Sequence, residues 1–221
     1  MDIAEKIIIY AVPVLMAITM HEVAHGYVAK WFGDRTASIL GRLSLNPLRH
    51  IDPIGTVIVP LLLVMMGGFV FGWAKPVPVS DRNLKKPLRD MAFIGIAGPL
   101  SNVLMAIIWG VLMKVNMIIG SRYDFGWTEP LHMMCVVGVQ INFVLAWLNI
   151  LPLPPLDGGH VLMALVPRRL AYWVSRLEPI GMWVLLVLMF MGVLPLILGP
   201  PVNWSTHILM KKLASIRFLQ A

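Results

Sequence analysis

Hydrophobic residues fill long stretches of this chain, and polar residues are confined to the short segments between them. Each of five stretches is long enough to cross a hydrocarbon core of about 30 Å as a helix, which takes about 20 residues. The pattern predicts an all-α integral membrane protein, a polytopic helical bundle with short connections. The five stretches run from Ile7 to Phe32, Ile54 to Trp73, Met91 to Met113, Met133 to Leu156 and Ile180 to Val202.

Charges in the connecting segments predict which helix ends face the cytoplasm. Lys and Arg are concentrated in residues 29–53 and 73–90, whereas residues 114–132 balance acidic against basic side chains. Cytoplasmic loops are enriched in Lys and Arg, so both basic segments are expected inside. The stretch between them, 54–73, must then enter and leave on one side, and we predict that it is re-entrant, bending at its Gly and Pro residues.

Composition supports a membrane protein with one domain, 1–221. Of its 221 residues, 58% are hydrophobic and 13% are charged, and the mean hydropathy is +0.80. The 18 basic residues outnumber 11 acidic ones, but they are spread over the connecting segments, which excludes a nucleic-acid-binding surface. The first apolar stretch has no basic leader and is expected to be retained rather than cleaved. Cys135 lies in an apolar run and is expected to be a buried hydrophobe.

The first apolar stretch contains His21, Glu22 and His25 in the pattern H-E-x-x-H. A spacing of i, i+4 places both imidazoles on one face of a helix, where they can share a metal ion, and the adjacent carboxylate can reach a water on that metal. Ionisable groups are costly inside a membrane and usually mark a functional site there. The pattern therefore predicts a catalytic zinc site within the membrane.

Two histidines leave such a site short of a third protein ligand. The candidate is Asp157, which follows three prolines in residues 152–155 and precedes Gly158 and Gly159. Prolines interrupt a helix and glycines permit a tight backbone, so we expect an unwound segment that directs the carboxylate inward. His160 is the alternative third ligand.

At this point the chain resembles the site-2 protease family of intramembrane metalloproteases, peptidase family M50. The resemblance covers nearly the whole chain and is closest to short bacterial members that have no PDZ or CBS domain. The motifs that carry it are His21-Glu-Val-Ala-His25, Gly72-Trp-Ala-Lys-Pro-Val-Pro-Val79, Gly98-Pro-Leu-Ser-Asn102 and Asn149-Ile-Leu-Pro152, followed by Leu156-Asp-Gly158.

The resemblance implies a function and a set of roles. His21, His25 and Asp157 would bind one Zn²⁺ per chain, and Glu22 would be the catalytic acid and base. Asn149 and Pro152 would contact the substrate, a transmembrane protein or a signal peptide. The enzyme would lie in the bacterial cytoplasmic membrane, with its active site toward the cytoplasm; the oligomeric state stays open.

Two other classes of protein fit the same residues. Intramembrane His, Glu and Asp also occur in zinc or proton-coupled transporters, although transporters often contain two matching broken helices and only one is evident here. A non-catalytic scaffold with a structural zinc would need a closed site of four protein ligands, with His160 or another group in place of water.

Weaker patterns give two further expectations. Leu43 and Leu45 alternate with polar residues at the end of segment 36–45, which predicts a short membrane-associated β-hairpin where an unwound substrate could add as a strand. Asn142 has Gln140 nearby in one apolar stretch, and Asn102 is the lone amide of another; hydrogen bonds between helices are the expectation for all three.

Overall fold

The computed structural model describes residues 3–58, 62, 65, 72, 74–123 and 125–215, and this part of the chain is helical, with no β-strand. Short turns occur at Pro47–Arg49, Pro53–Ile58 and Asp81–Asn83. The α-helices are α1 (Ile3–Trp31), α2 (Thr36–Ile39), α3 (Pro87–Gly120), α4 (Thr128–Ile150), α5 (Asp157–Leu165), α6 (Arg168–Ser175), α7 (Glu178–Phe190) and α8 (Val193–Ser215).

Within the described residues, three helices, α1, α3 and α4, are long and apolar enough to cross a membrane. The pair α6 and α7 would make a fourth span, with a bend of 62° between its two parts. The expected helical membrane protein is confirmed, although the apolar stretch 180–202 is not one helix. It is divided at Gly192, whose positive φ of 72° ends α7 before α8 begins.

Helix α3 lies at the centre of the bundle and packs against α1, α4, α5 and α8. Its contact with α4 is close because Gly138 has no side chain; a Cβ there would lie 2.4 Å from the ring of Trp109. Cys135 is fully buried in this interface, as its apolar surroundings predict. The core combines Met105, Ala106, Trp109 and Met113 of α3, Cys135, Val139 and Phe143 of α4, and Val202 of α8.

The prediction of a β-hairpin in segment 36–45 is wrong. Thr36–Ile39 is a helical turn, and no strand occurs in the described chain around it. The turn begins where the side chain of Asp34 accepts a hydrogen bond of 3.0 Å from the Thr36 N–H, and it buries Ala37. This local hydrogen bond favours the helical turn, and an alternation of only two residue pairs is too weak a preference for a strand to prevent it.

The two basic segments lie at the same end of the bundle. The N–H of Lys75 donates to the carbonyl of His50 at 2.9 Å, and the Arg42 guanidinium donates to the Lys75 carbonyl, also at 2.9 Å. The two ends of the part of the chain that connects these basic segments therefore lie close together. Most of the predicted re-entrant stretch 54–73, including residues 66–71, lies outside the described residues.

Candidate metal centre

Two imidazoles of α1 meet against a glycine of α3. His21 and His25 are both buried, and their Nε2 atoms are 3.0 Å apart. A Cβ at Gly98 would lie 2.5 Å from atoms of both rings. The absence of a side chain at Gly98 is therefore what allows the two imidazoles to lie side by side against α3.

The chain after α4 brings a carboxylate to the same point. Helix α4 ends at Ile150, residues 151–156 are non-helical as their prolines predict, and Asp157 is the first residue of α5. A Cβ at Gly158 would lie 2.3 Å from the carbonyl oxygens of Ile150 and Leu151, so only glycine permits this tight return. The Oδ2 atom of Asp157 is 3.2 Å from His21 Nε2, and its Oδ1 atom is 3.3 Å from His25 Nε2.

Hydrogen bonds on the far side of each ring determine which atoms face one another. His25 Nδ1 lies 2.7 Å from the carbonyl oxygen of Ile94, and His21 Nδ1 lies 2.6 Å from Oδ1 of Asn102. Both partners are acceptors, so each Nδ1 carries a proton, which leaves the Nε2 atom of each ring as the one that can offer a lone pair to a metal. The centre thus brings two Nε2 atoms and a carboxylate together.

This donor set fits a zinc ion. In a tetrahedral site with bonds of about 2.0–2.1 Å, neighbouring ligand atoms are about 3.3 Å apart, close to the 3.0, 3.2 and 3.3 Å observed. Asp157 Oδ2 is also buried without a hydrogen-bond partner, which a cation would satisfy. Among the described residues, His21, His25 and Asp157 form the group able to hold a metal, and His160 is not part of it.

Glu22 lies beside this group, in contact with an extended segment. Its Oε2 atom accepts a hydrogen bond of 2.7 Å from the N–H of Val77. Val77 belongs to residues 75–80, here named the strap, which the Asp34 carboxylate holds at its other end through the Ser80 N–H. Gly26, one turn after Glu22, leaves room for the strap, because a Cβ there would lie 3.0 Å from Val77 Cγ1.

The other residues singled out in the sequence lie outside the metal group. Asn149 is half-buried in the last turn of α4, where its Nδ2 donates to the Leu145 carbonyl at 2.9 Å. Pro152 is exposed in the non-helical segment that follows. His160 lines a separate cavity of about 280 Å³ together with residues such as Met163.

Sequence reasoning missed the contribution of α3 to the centre. Gly98 makes room for the imidazoles, Gly95 lies against the Asp157 backbone, and Asn102 orients His21. All three belong to the segment Gly95-Ile-Ala-Gly-Pro-Leu-Ser-Asn102. Its small residues at i and i+3 on one helical face were the available signal, since such residues mark close helix contacts in membranes.

Comparison with known proteins decides the family. The model of peptidase family M50 matches residues 9–118 and 110–192, which together cover most of the chain. The chain belongs to peptidase family M50. The resemblance to site-2 proteases, and with it the assignment as a metalloendopeptidase, is thereby confirmed. Membership of a peptidase family also favours an enzyme over a transporter or a scaffold.

Relatives in several organisms support the M50 assignment. YwhC of Bacillus subtilis is 37% identical over 93% of this chain and 90% of its own length. Rip2 of Mycolicibacterium smegmatis is 27% identical over 82% of this chain and 65% of its own. MJ0392 of Methanocaldococcus jannaschii is 25% identical over 81% of this chain and 41% of its own. All three are named as zinc metalloproteases, and no solved structure matches the chain.

Proposed function

We propose that this M50 peptidase is a zinc-dependent intramembrane endopeptidase that holds one Zn²⁺ per chain. One observation carries the proposal: two imidazoles and a carboxylate converge within about 3.3 Å of one another beside a helix long and apolar enough to span a membrane. Buried lone pairs that face each other without a proton between them repel, and a bound cation relieves that repulsion.

His21, His25 and Asp157 would be the protein ligands of the zinc ion. Three protein ligands leave a position open, as catalytic zinc sites require, whereas the structural zinc of a scaffold would need a fourth. When bound there, zinc supplies Lewis acidity that polarises a peptide carbonyl and acidifies water. The three ligands come from two helices that both pack on α3.

Glu22 would be the general base and acid. It takes a proton from the water that attacks the scissile carbonyl, and it returns that proton to the amine that leaves as the C–N bond breaks. The strap supports this role, since the N–H of Val77 binds Oε2 and restrains the carboxylate beside the imidazoles. The second oxygen, Oε1, would carry the proton.

The substrates we propose are transmembrane segments of other proteins or signal peptides left in the membrane. A helical substrate hides its carbonyls in its own hydrogen bonds, so it must unwind before hydrolysis. Asn149 and Pro152 would contact the unwound peptide. Their position supports this role, because they flank the point where α4 gives way to the non-helical segment that leads to Asp157.

We place the enzyme in a bacterial cytoplasmic membrane, with the metal centre toward the cytoplasm and residues 1–221 as one domain. His25 lies in the last two turns of α1, and the basic segments 29–53 and 73–90 follow at that end of the bundle. Positive charge marks cytoplasmic ends. The contact between these segments also supports a re-entrant path for residues 54–73.

Two variants on one helix test the metal centre. Asp157→Asn weakens a ligand, so purified protein should lose most of its zinc and its cleavage of a model transmembrane substrate. His160→Asn, three residues further along α5, should keep both. Metal analysis and cleavage assays on the same samples decide the matter. Retention of zinc by Asp157→Asn together with its loss from His160→Asn would overturn the ligand set and the mechanism built on it.

A further inference from the structure

Two buried amides connect the metal centre to the middle of the bundle. Asn102 of α3 and Asn142 of α4 are both fully buried, and the Asn102 Nδ2 atom donates to the Asn142 Oδ1 atom at 2.9 Å. This contact confirms the expected hydrogen bond between helices. It also continues to His21, which gives it a role beyond holding two helices together.

Backbone carbonyls at the start of this chain of hydrogen bonds determine its direction. A carbonyl can only accept, so the Asn142 amide must direct its Nδ2 atom toward the Gly138 oxygen, 2.8 Å away. Its Oδ1 atom then faces Asn102 and requires a donor there. The Ala17 carbonyl, 3.2 Å from Asn102 Nδ2, requires the same orientation. Asn102 is left with one orientation, in which its Oδ1 atom faces His21.

The two histidines obtain the same tautomer in different ways. His25 donates from Nδ1 to the Ile94 carbonyl, a backbone acceptor that cannot change character. His21 instead faces a side-chain amide, and an amide rotated by 180° would present a donor and select the opposite tautomer. In that tautomer a proton would occupy the Nε2 atom and prevent it from binding metal.

We infer that Asn142 and Asn102 form an amide relay that holds His21 in the Nδ1–H tautomer and so keeps its Nε2 lone pair available to the metal. Asn102 is a positioning residue in this scheme, and Asn142 prevents its amide from rotating. The inference rests on the proposed zinc centre. It assigns a task to the Asn at the end of the Gly98-Pro-Leu-Ser-Asn102 motif, which the mechanism otherwise leaves unused.

Three Leu variants, at Asn102, Asn142 and Asn116, test the relay. Asn116 is the matched control, because it is on α3 too, is only 2% exposed, and donates a hydrogen bond of 2.9 Å to Thr128 across to α4. It lies four turns from Asn102 and outside the metal group. Each variant is measured for zinc affinity by chelator competition and for His21 tautomer by ¹⁵N-histidine NMR of the zinc-free protein in detergent at pH 8.

Loss of an outer partner of a metal-binding histidine typically weakens metal affinity about 10–100-fold, which is the expectation for Asn102→Leu. Asn142→Leu should weaken it less, by about three- to tenfold, and should convert part of the His21 signal to the Nε2–H tautomer although residue 142 does not touch His21. Asn116→Leu should change neither quantity.

Unchanged affinity and tautomer in Asn142→Leu would overturn the relay, as would an equal loss of zinc in the Asn102 and Asn116 variants. Should Asn102→Leu fail to fold, Asn142→Leu decides alone. A wild-type protein that binds no zinc would instead overturn the proposed function, and the tautomer measurement on that same sample would still decide the relay.

Discussion

At the scale of single residues, the metal centre depends on a position without a side chain. Gly98 lies where a Cβ would be 2.5 Å from both imidazoles, and neither ring can retreat, because each is hydrogen-bonded through its Nδ1 atom. The ligands are therefore clamped between α3 and their own hydrogen-bond partners.

We expect Gly98→Ala to weaken zinc binding by about tenfold to a hundredfold, in line with an overpacking cost of about 1–3 kcal/mol. Gly110→Ala, on the same helix, is the control, because the atoms nearest to its Cβ would belong to the flexible side chains of Leu209 and Leu213. Zinc affinity by chelator competition provides the measurement. Equal zinc affinity in the two variants would show that the rings are not clamped.

The sequence identifies the local part of this site but not its long-range part. His21, Glu22 and His25 lie within about one helical turn, so their chemistry can be recognised from spacing, and Asp157 stands out because prolines precede it. The hydrogen bond between His21 and Asn102 joins residues 81 positions apart. Periodicity within one helix carries no information about such a contact.

At the scale of elements, the strap is the feature with direct consequences for chemistry. Its prolines at positions 76 and 78 remove every second N–H, and the N–H of Val77 between them serves Glu22. An extended segment with alternating prolines is poorly suited to pairing with a further strand. The N–H between the prolines therefore binds the Glu22 carboxylate, and the strap is not expected to pair with a further strand.

Val77→Pro removes the donor to Glu22 and should lower kcat by about tenfold or more while zinc stays bound, because the carboxylate loses its restraint. Val79→Pro is the control, since the Val79 N–H makes no hydrogen bond within the described residues. Turnover of a model substrate and zinc content are measured together. Equal turnover in the two variants would show that the strap has no role in the mechanism.

Asp34 joins the end of α1 to the strap and makes this junction sensitive to pH. Burial alone would raise the pKa of Asp34, but hydrogen bonds from Thr36, Asn83 and Ser80 outweigh it and lower the pKa below its ordinary 3.8. A lowered pKa means that the charged form stabilises the fold. This contribution is complete above pH 3.8 and is lost as pH falls through the lower folded-state value.

Asp34→Asn should therefore lower the thermal unfolding midpoint at pH 7 and have a smaller effect as the pH falls below 3.8. Thermal unfolding in detergent across that range measures the difference. A difference from wild type that stays constant down to the lowest pH would contradict the assigned role of the carboxylate.

Two element-scale expectations differ from the structure for physical reasons. The apolar stretch 180–202 contains enough hydrophobic residues for one span, yet Gly192 adopts a left-handed conformation and divides it. In segment 36–45, the Asp34 side chain begins a helical turn. Hydropathy averaged over many residues does not register a single glycine, and an alternation of two residue pairs does not register a single side-chain hydrogen bond.

At the scale of the whole molecule, the proposed site near the cytoplasm depends on the orientation of the bundle. Cysteines introduced at exposed Ser38 and Lys85, in the two basic segments, should be labelled from the cytoplasmic side, and one at exposed Ser121 from the opposite side. The native Cys135 is buried and is the only cysteine, so background labelling should be low. Labelling of the first two positions from opposite sides would contradict a re-entrant path for 54–73.

In the proposed mechanism, Glu22 moves protons beside a zinc ion that it does not bind. Wild-type protein and Glu22→Gln, purified in parallel, should contain equal zinc, about one ion per chain, whereas cleavage of a model transmembrane substrate should fall by about 10²–10⁴-fold in the variant. Glutamine keeps the size of the side chain and can still accept from Val77. Parallel loss of zinc and activity would make Glu22 a ligand, and undiminished cleavage in the variant would contradict the mechanism itself.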